Sequence, residues 1–286
     1  MALSNNDYKI LAIDLDGTTL DNGVLSKVVE DTLARIVEEG TEVAIATGRS
    51  LPTVPMCIRS LPFIRYAIVS NGGRVYDYIE KKTISEQPID MELVLEIIDA
   101  IKSSSPIAAM YPDEVVIPVR TYLRYLRSWE FWKRIYNRNT SRKIVKEAMK
   151  STKIVFSLKN TIKQKGEPVE SLKIRFAYLR QWRKARKILT EFPIEAVTTM
   201  GYDFEINAKG VTKAAGLKAL CEHLSISPDQ VMAAGDSNND LEMLKYAGFA
   251  IVMDNANDEI KEVADKVAPD VKEDGLATAL IDLFGL

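Results

Sequence analysis

Six short apolar, β-rich runs are strung along this chain: KILAID (9–14), TEVAIA (41–46), RYAIV (65–69), QVMAAG (230–235), GFAIVM (248–253) and DKVAPD (265–270). Segments with helical periodicity stand between and after them, near 26–39, 212–224, 238–246, 257–264 and 276–284, and a short segment lies around 53–60. Strands and helices alternating in this way predict βαβ units, and such units build a parallel sheet with helices on its faces. The pattern stops after residue 69 and resumes after residue 210, so one doubly wound α/β sheet is expected to be built from two separated halves.

What lies between is long enough to be a unit of its own. The chain has 286 residues, more than one ordinary domain of ~100–200. Its middle predicts a helix at 90–102, strands near 106–111, 152–158, 171–178, 194–199 and 202–206, and a helix at 179–190. KNTIKQKGEPVE (159–170) predicts a hairpin loop. The expected division is a catalytic core of 1–86 and 209–286 interrupted by an α+β cap at 87–208. Charge separates the same parts. Residues 120–190 hold 21 Lys and Arg against 4 Asp and Glu, so in a chain of net charge −2 that stretch is near +17 and the rest near −19.

Composition removes several classes of function. Cys57 and Cys221 are the only cysteines and His223 the only histidine, which excludes a disulfide framework, a Cys/His zinc cluster and any His-bearing triad that does not use His223. His223 lies in LKALCEHL, where a polar-face helix position is expected. No uncharged apolar run approaches the ~20 residues needed to cross a bilayer, and MALSNNDYKI lacks the pattern of a signal peptide. A cytoplasmic location is the expectation.

In open parallel sheets ligands sit beyond the carboxyl ends of the strands. The residues following the runs are Asp14, Leu15, Asp16, Gly17 and Thr18; Thr47, Gly48 and Arg49; Ser70, Asn71, Gly72 and Gly73; and Gly235 through Asp240. Each piece has a plain structural explanation, as a turn former, a helix cap or a solvated first turn. Four such loops with complementary chemistry at one sheet edge are not explained that way. Carboxylates gathered at close range raise one another's pKa and stay ionised when a cation is present. Hard oxygen donors favour Mg2+, and D-L-D-G-T lacks the alternating acidic continuation of a dedicated calcium loop. A carboxylate can also be the covalent nucleophile in phosphoryl transfer, with a second acid two residues away to protonate the leaving alkoxide and then activate water; Asp14 and Asp16 suit those roles.

LAIDLDGTTLD (11–21), AIATGR (44–49), VTKAAGL (211–217) and AAGDSNNDLEML (233–244) resemble, in this order, the four motifs of the haloacid dehalogenase superfamily of phosphatases. The insertion after the third core strand is similar to that of its Cof-type members, which carry a large α/β cap (subclass IIB). Ala214 stands where the family usually has Gly after the motif lysine, and Gly73 where it usually has Ala. The resemblance implies Asp14 as nucleophile and Asp16 as general acid/base. It implies Mg2+ held by Asp14, the main-chain carbonyl of Asp16 and Asp236, with Asp240 behind them. The Leu15 amide, Thr47, the Gly48 amide, Lys213 and Asn239 would hold the phosphoryl oxygens. Lys213 is chosen by resemblance alone, because the local pattern does not distinguish it from a solvated helix residue such as Lys218.

The expected activity is Mg2+-dependent hydrolysis of a small phosphorylated metabolite, such as a sugar phosphate or nucleotide-related phosphomonoester, through an aspartyl-phosphate. A phosphomutase or phosphotransferase with the same first half-reaction is the alternative. A third reading takes the basic segment with Tyr122, Tyr125, Trp129, Trp132 and Tyr136 as a nucleic-acid or anionic-surface binder. An amphipathic cap helix with inward aromatics and outward Arg and Lys accounts for the same residues. If the enzyme reading holds, the basic charge would help to draw an anionic substrate in.

Overall fold

In the computed structural model, residues 8–101, 107–127, 150–176, 178–198 and 201–286 are described. Trp129, Trp132 and Tyr136 of the basic stretch lie outside them, as does the side chain of Tyr125. The chain divides into two compact units. One comprises the residues up to Gly48, Pro55–Glu86 and Thr212–Leu286; the other comprises Arg49–Val54 and Gln87–Val211.

The first unit is built on an eight-stranded sheet of β1 (Ile10–Ile13), β2 (Glu42–Ala46), β3 (Ile64–Val69), β4 (Arg74–Asp77), β5 (Lys82–Glu86), β12 (Val231–Gly235), β13 (Phe249–Met253) and β14 (Lys266–Ala268). Its strand order is β14-β13-β12-β1-β2-β3-β4-β5. The pairings from β14 to β3 are parallel, and those of β4 and β5 are antiparallel. β1 lies in the middle and is buried at all four positions, as its continuous apolar run requires of a strand covered on both faces. Alternate residues such as Ile10, Ala12, Ala44, Ala46, Ala233 and Val252 form one cluster with Leu217 and Leu220 of the helix Lys213–Leu224 and Met243 and Leu244 of the helix Leu241–Tyr246. Their neighbours along the strands point the other way, toward the side of Lys27–Glu38 and Gly275–Phe284, which pack on one another and bury Leu33, Ile36, Leu276 and Leu280. β4 and β5 were not foreseen. They are short, carry charged residues at their ends, and lack the apolar run that marks the parallel strands.

The second unit has a six-stranded sheet of β6 (Ile107–Met110), β7 (Val115–Pro118), β8 (Thr152–Val155), β9 (Ser171–Arg175), β10 (Ile194–Val197) and β11 (Asp203–Ala208), in the order β10-β11-β9-β6-β7-β8. The pairings are antiparallel except β7 with β8. Residues of the helices Met91–Ile101, Leu158–Lys165 and Leu179–Leu189 pack on one apolar cluster with Leu172, Ile174, Phe204 and Ile206. Trp182 belongs to that core: its ring stacks on Phe204 at 5.4 Å and its Nε1 donates to the Asp203 carbonyl. The expected hairpin loop at 159–170 is instead mostly helix. Leu158 and Ile162, four apart, bury one face, Ser157 caps the start through the Asn160 amide, and Gly166 ends the helix at φ 64°. Those caps and that pair outweigh a polar composition. Among the described residues no helix is long and apolar enough to cross a membrane.

Candidate active site

Because β12, β1, β2 and β3 are neighbours and parallel, the loops that follow them emerge along one edge of the first unit's sheet in that order. The first residues beyond the strands keep the ladder going: the Asp14 amide donates to the Ala234 carbonyl at 2.9 Å, and the Thr47 amide to the Ile68 carbonyl at 2.8 Å. After Asp14 the chain folds back tightly, with the Thr19 and Leu20 amides both donating to the Leu15 carbonyl and Thr19 Oγ1 donating to the Asp14 carbonyl at 2.6 Å. Asp14 is thereby fixed at the strand end, 5% exposed.

Lys213 reaches this point from a distant part of the chain. It opens its helix directly after Thr212, whose side chain accepts from the Ala215 amide. The helix start lies hard against the loop after β3. A Cβ on Gly72, at φ +98°, would stand 2.0 Å from the Thr212 carbonyl oxygen, and one on Gly216 would stand 2.5 Å from Ile68 Cγ2. Glycine at both positions permits the approach. The Lys213 side chain is 1% exposed, and its ammonium donates to Asp14 Oδ1 and Asp240 Oδ1, each at 2.6 Å. Lys218 on the same helix is exposed, so burial separates two lysines that the local pattern did not.

Asp240 is wholly buried, and its second oxygen accepts from the amides of Asp236 and Ser237 and from Ser237 Oγ. It ties the loop after β12 to Lys213. Asp236 is half-buried; its Oδ1 accepts from Thr18 Oγ1 at 3.1 Å and its Oδ2 from Asn255 Nδ2 at 3.0 Å. One carboxylate oxygen from each of Asp14, Asp236 and Asp240 lies within 4.8 Å of the others. The carboxylate of Asp16, half-buried on the same loop as Asp14, is not in that group.

Three carboxylates around one ammonium leave an excess of negative charge. Burial, reinforced by the charges of Asp240 and Asp236, pushes the Asp14 carboxyl well above the usual range although Lys213 pulls it down. Burial and then Asp240 push Asp236 up to about 6, against the Thr18 hydrogen bond and Lys213. For Lys213 burial acts to lower the pKa, but the attraction of Asp14 and Asp240 and the hydrogen bonds to both outweigh it and hold the ammonium above its ordinary value. The donor set fits a hard divalent cation. Its oxygens are carboxylate, they are close together, and their charge is only partly neutralised. Asp240 is wholly buried, with Lys213 on one oxygen and three donors on the other, whereas Asp236 is half-buried with a single neutral donor on each; Asp14 and Asp236 are therefore the carboxylates better placed to hold an ion directly.

Of the remaining expected positions, Leu15 and Thr47 are buried and Gly48 is half-buried. Thr47 and Asn239 belong to one hydrogen-bonded chain: the Asn71 amide donates to the Thr47 carbonyl at 3.0 Å, Asn239 Nδ2 donates to Asn71 Oδ1 at 3.0 Å, and Ser237 Oγ donates to Asn239 Oδ1 at 2.6 Å. Asn71, at φ 55°, and Thr18 stand among the strand-end residues without an expected role, yet one orients Asn239 and the other Asp236. Asn255 carries no expected role either, although it lies two residues beyond β13, and that strand-end placement was the available signal. His223 is exposed on its helix; Cys57 is exposed and Cys221 buried, and the two form no disulfide.

Residues 11–280 match the model of the haloacid dehalogenase-like hydrolases. The 5-amino-6-(5-phospho-D-ribitylamino)uracil phosphatase YcsE of Bacillus subtilis is 28% identical over 96% of this chain and 95% of its own length. The pyridoxal phosphate phosphatase YbhA of Escherichia coli is 27% identical over 94% and 96%. A solved haloacid dehalogenase-like hydrolase from B. subtilis superposes with a TM-score of 0.81 at 23% identity, covering 96% of this chain and 99% of that one. With the family model matched across both halves of the sheet and the insertion between them, the chain belongs to the haloacid dehalogenase-like hydrolases.

Proposed function

We propose that this enzyme hydrolyses the phosphomonoester of a small metabolite by passing the phosphoryl group to Asp14 and then to water, with Mg2+ bound at Asp14 and Asp236. The observation that carries this reading is the buried Lys213 ammonium bridging Asp14 and Asp240 at 2.6 Å each, with the Asp236 carboxylate beside them. Lys213 holds Oδ1 of Asp14 and leaves Oδ2 to attack phosphorus. As the bond from phosphorus to the ester oxygen breaks, Asp16 delivers its proton to the leaving alkoxide. Asp16 then takes a proton from water, the resulting hydroxide attacks the phospho-Asp14 phosphorus, and the Asp14 carboxylate is released.

Transfer of this kind is governed by positioning and by neutralising the equatorial oxygens. Lys213 supplies a fixed positive charge, while Thr47, Asn239 and the amides of Leu15 and Gly48 would supply hydrogen bonds. The bound cation supplies further neutralisation of phosphoryl charge. The main-chain carbonyl of Asp16 would complete its protein ligands, and Asp240 would hold Lys213 and the loop of Asp236 in place.

The test is phosphate release, with Mg2+ and without any bisphosphate activator, from a panel of phosphorylated metabolites. The names of the relatives make 5-amino-6-(5-phospho-D-ribitylamino)uracil and pyridoxal phosphate the first compounds to include, followed by sugar phosphates and nucleotides. Hydrolysis of at least one with kcat/KM above ~10^4 M⁻¹s⁻¹ is expected. Turnover that requires a bisphosphate and yields an isomer in place of phosphate would replace hydrolysis by mutase chemistry.

A further inference from the structure

We infer that Asn255 is a positioning residue for the cation site, holding Asp236 and the loop after β1 in register; this rests on the reading of Asp236 as a metal ligand. Asn255 is two residues beyond β13, the strand next to β12. Its Nδ2 donates both to Asp236 Oδ2 and to the Gly17 carbonyl, each at 3.0 Å. One amide thus joins the loop that carries Asp236 to the loop that carries Asp14 and Asp16. Its other end is anchored, because Oδ1 accepts from the Val271 amide at 3.2 Å, and that bond fixes which way the amide faces. The backbone on either side is also pinned, with the Asp254 amide donating to the Ala268 carbonyl at 2.8 Å and the Ala256 amide to the Met253 carbonyl at 3.0 Å.

The geometry gives Asn255 two effects. It satisfies Asp236 Oδ2 from one side, so this carboxylate, which Thr18 grips through Oδ1, has both oxygens oriented before a cation arrives. It also restrains the Gly17 carbonyl and with it the peptide next to Asp16, whose own carbonyl is proposed to face the ion. Partners of this kind, which hold ligands without touching the ion, commonly govern affinity by ~10–100-fold. Asn255 itself is exposed, so removing it leaves no buried polar group behind at its own position.

Asn257 provides a contrast from the same loop. It is also exposed, and its side chain accepts from the Ile260 amide as the cap of the helix Asp258–Lys261 and donates to Asn238, without touching Asp236 or Gly17. The experiment measures Mg2+ affinity by calorimetry and thermal stability of the metal-free protein for wild type and for Asn255→Ala, Asn255→Leu, Asn255→Gln, Asn257→Ala and Asp236→Ala. Asn255→Ala and Asn255→Leu should weaken Mg2+ binding about tenfold while moving the metal-free Tm by no more than about 2 °C. Asn255→Gln keeps both donors and should retain more affinity than Asn255→Leu. Asn257→Ala should lower Tm and leave Mg2+ affinity unchanged. Unchanged affinity in Asn255→Ala, with affinity lost in Asp236→Ala, overturns the role of Asn255 alone. Equal affinity in Asp236→Ala and wild type, or no Mg2+ binding by wild type, overturns the metal reading and this inference with it. An affinity loss in Asn255→Ala that Asn257→Ala reproduces, with a matching fall in Tm, assigns Asn255 to loop stability only.

Discussion

Lys213 donates to Asp14 across 199 positions of sequence, and the 2.6 Å bond is inaccessible to water at the lysine end. The same ammonium serves Asp240 at 2.6 Å, so its removal strands two buried carboxylates instead of one. Breaking one side of a buried ion pair costs ~3–5 kcal/mol because an uncompensated charge remains. Lys213→Met should therefore lower stability by about that amount at pH 7, and phosphatase activity should fall by at least ~10^2 as the phosphoryl charge loses its counter-charge. Urea melts and kcat/KM on the best panel substrate measure the two losses. A variant that melts like wild type would mean that the carboxylates are compensated by another group.

The nucleophile should behave in the opposite way. Burial and two neighbouring carboxylates raise the Asp14 pKa, so its ionised form costs folding free energy that a neutral side chain of the same shape does not. Asp14→Asn should abolish turnover and raise the stability of the metal-free protein at neutral pH. A carboxyl whose folded pKa is raised contributes more stability as pH falls through that value. The wild type should thus gain on the variant under acid, and the gap should close. Turnover persisting in Asp14→Asn at the wild-type rate would remove Asp14 from the covalent step.

How much of this was legible in the sequence follows from what each residue depends on. The parallel strands announce themselves, because a strand buried on both faces must be apolar throughout, and Asp14 and Asp236 are conspicuous as the first charges after such runs. β4 and β5 at the sheet margin have no such requirement, and their alternation of Arg74, Val75, Tyr76 and Asp77 is too short to stand out. The helix Leu158–Lys165 was hidden by its polar surface, although the Ser157 cap and Gly166 were in plain view. Lys213 and Asn255 act through partners far away in sequence, and only the packing of helix start on loop, or of one strand-end loop on the next, gives them a role. The family resemblance supplied the first; the rule of looking beyond strand ends, applied to β13 as well, would have supplied the second.

Asp16 and Asp236 are expected to fail differently when substituted. Asp16→Asn keeps its main-chain carbonyl and should bind Mg2+ like wild type while losing turnover; Asp236→Ala should lose Mg2+ affinity. The pH dependence of binding separates them further. Asp236, with a pKa of about 6, must shed its proton to take the ion, so Mg2+ affinity should be steady above that value and fall up to about tenfold per pH unit below it. The metal-free fold responds in the reverse sense, since the folded state binds this proton more tightly than the unfolded chain does. Its stability should rise by about 1–2 kcal/mol as pH drops from 7 toward 4, insofar as Asp236 is responsible, and Asp236→Ala should remove that contribution. Calorimetric titrations across pH 5–8 with parallel melts test both signs, and equal loss of metal affinity in the two variants would contradict the division of labour.

The seating of Lys213 depends on a contact that leaves no room for a methyl group. At position 72 a Cβ would lie 2.0 Å from the Thr212 carbonyl oxygen and 3.2 Å from the Gly216 amide nitrogen, in a backbone at φ +98°. Alanine there suffers the strain of a left-handed conformation and also pushes against backbone that cannot rotate away. The start of the helix must shift, and Lys213 is its first residue. Gly40 separates the two effects, because it has a similar φ of +94° with nothing within 4 Å of its would-be Cβ. Gly40→Ala should cost about 1 kcal/mol of stability and leave kcat/KM unchanged. Gly72→Ala should cost about 2–4 kcal/mol and, where still folded, lower kcat by at least ~10-fold, since an ångström of displacement at a catalytic charge is that expensive. Should Gly72→Ala match Gly40→Ala in both melts and kinetics, the close approach of loop and helix is not what places the ammonium against Asp14.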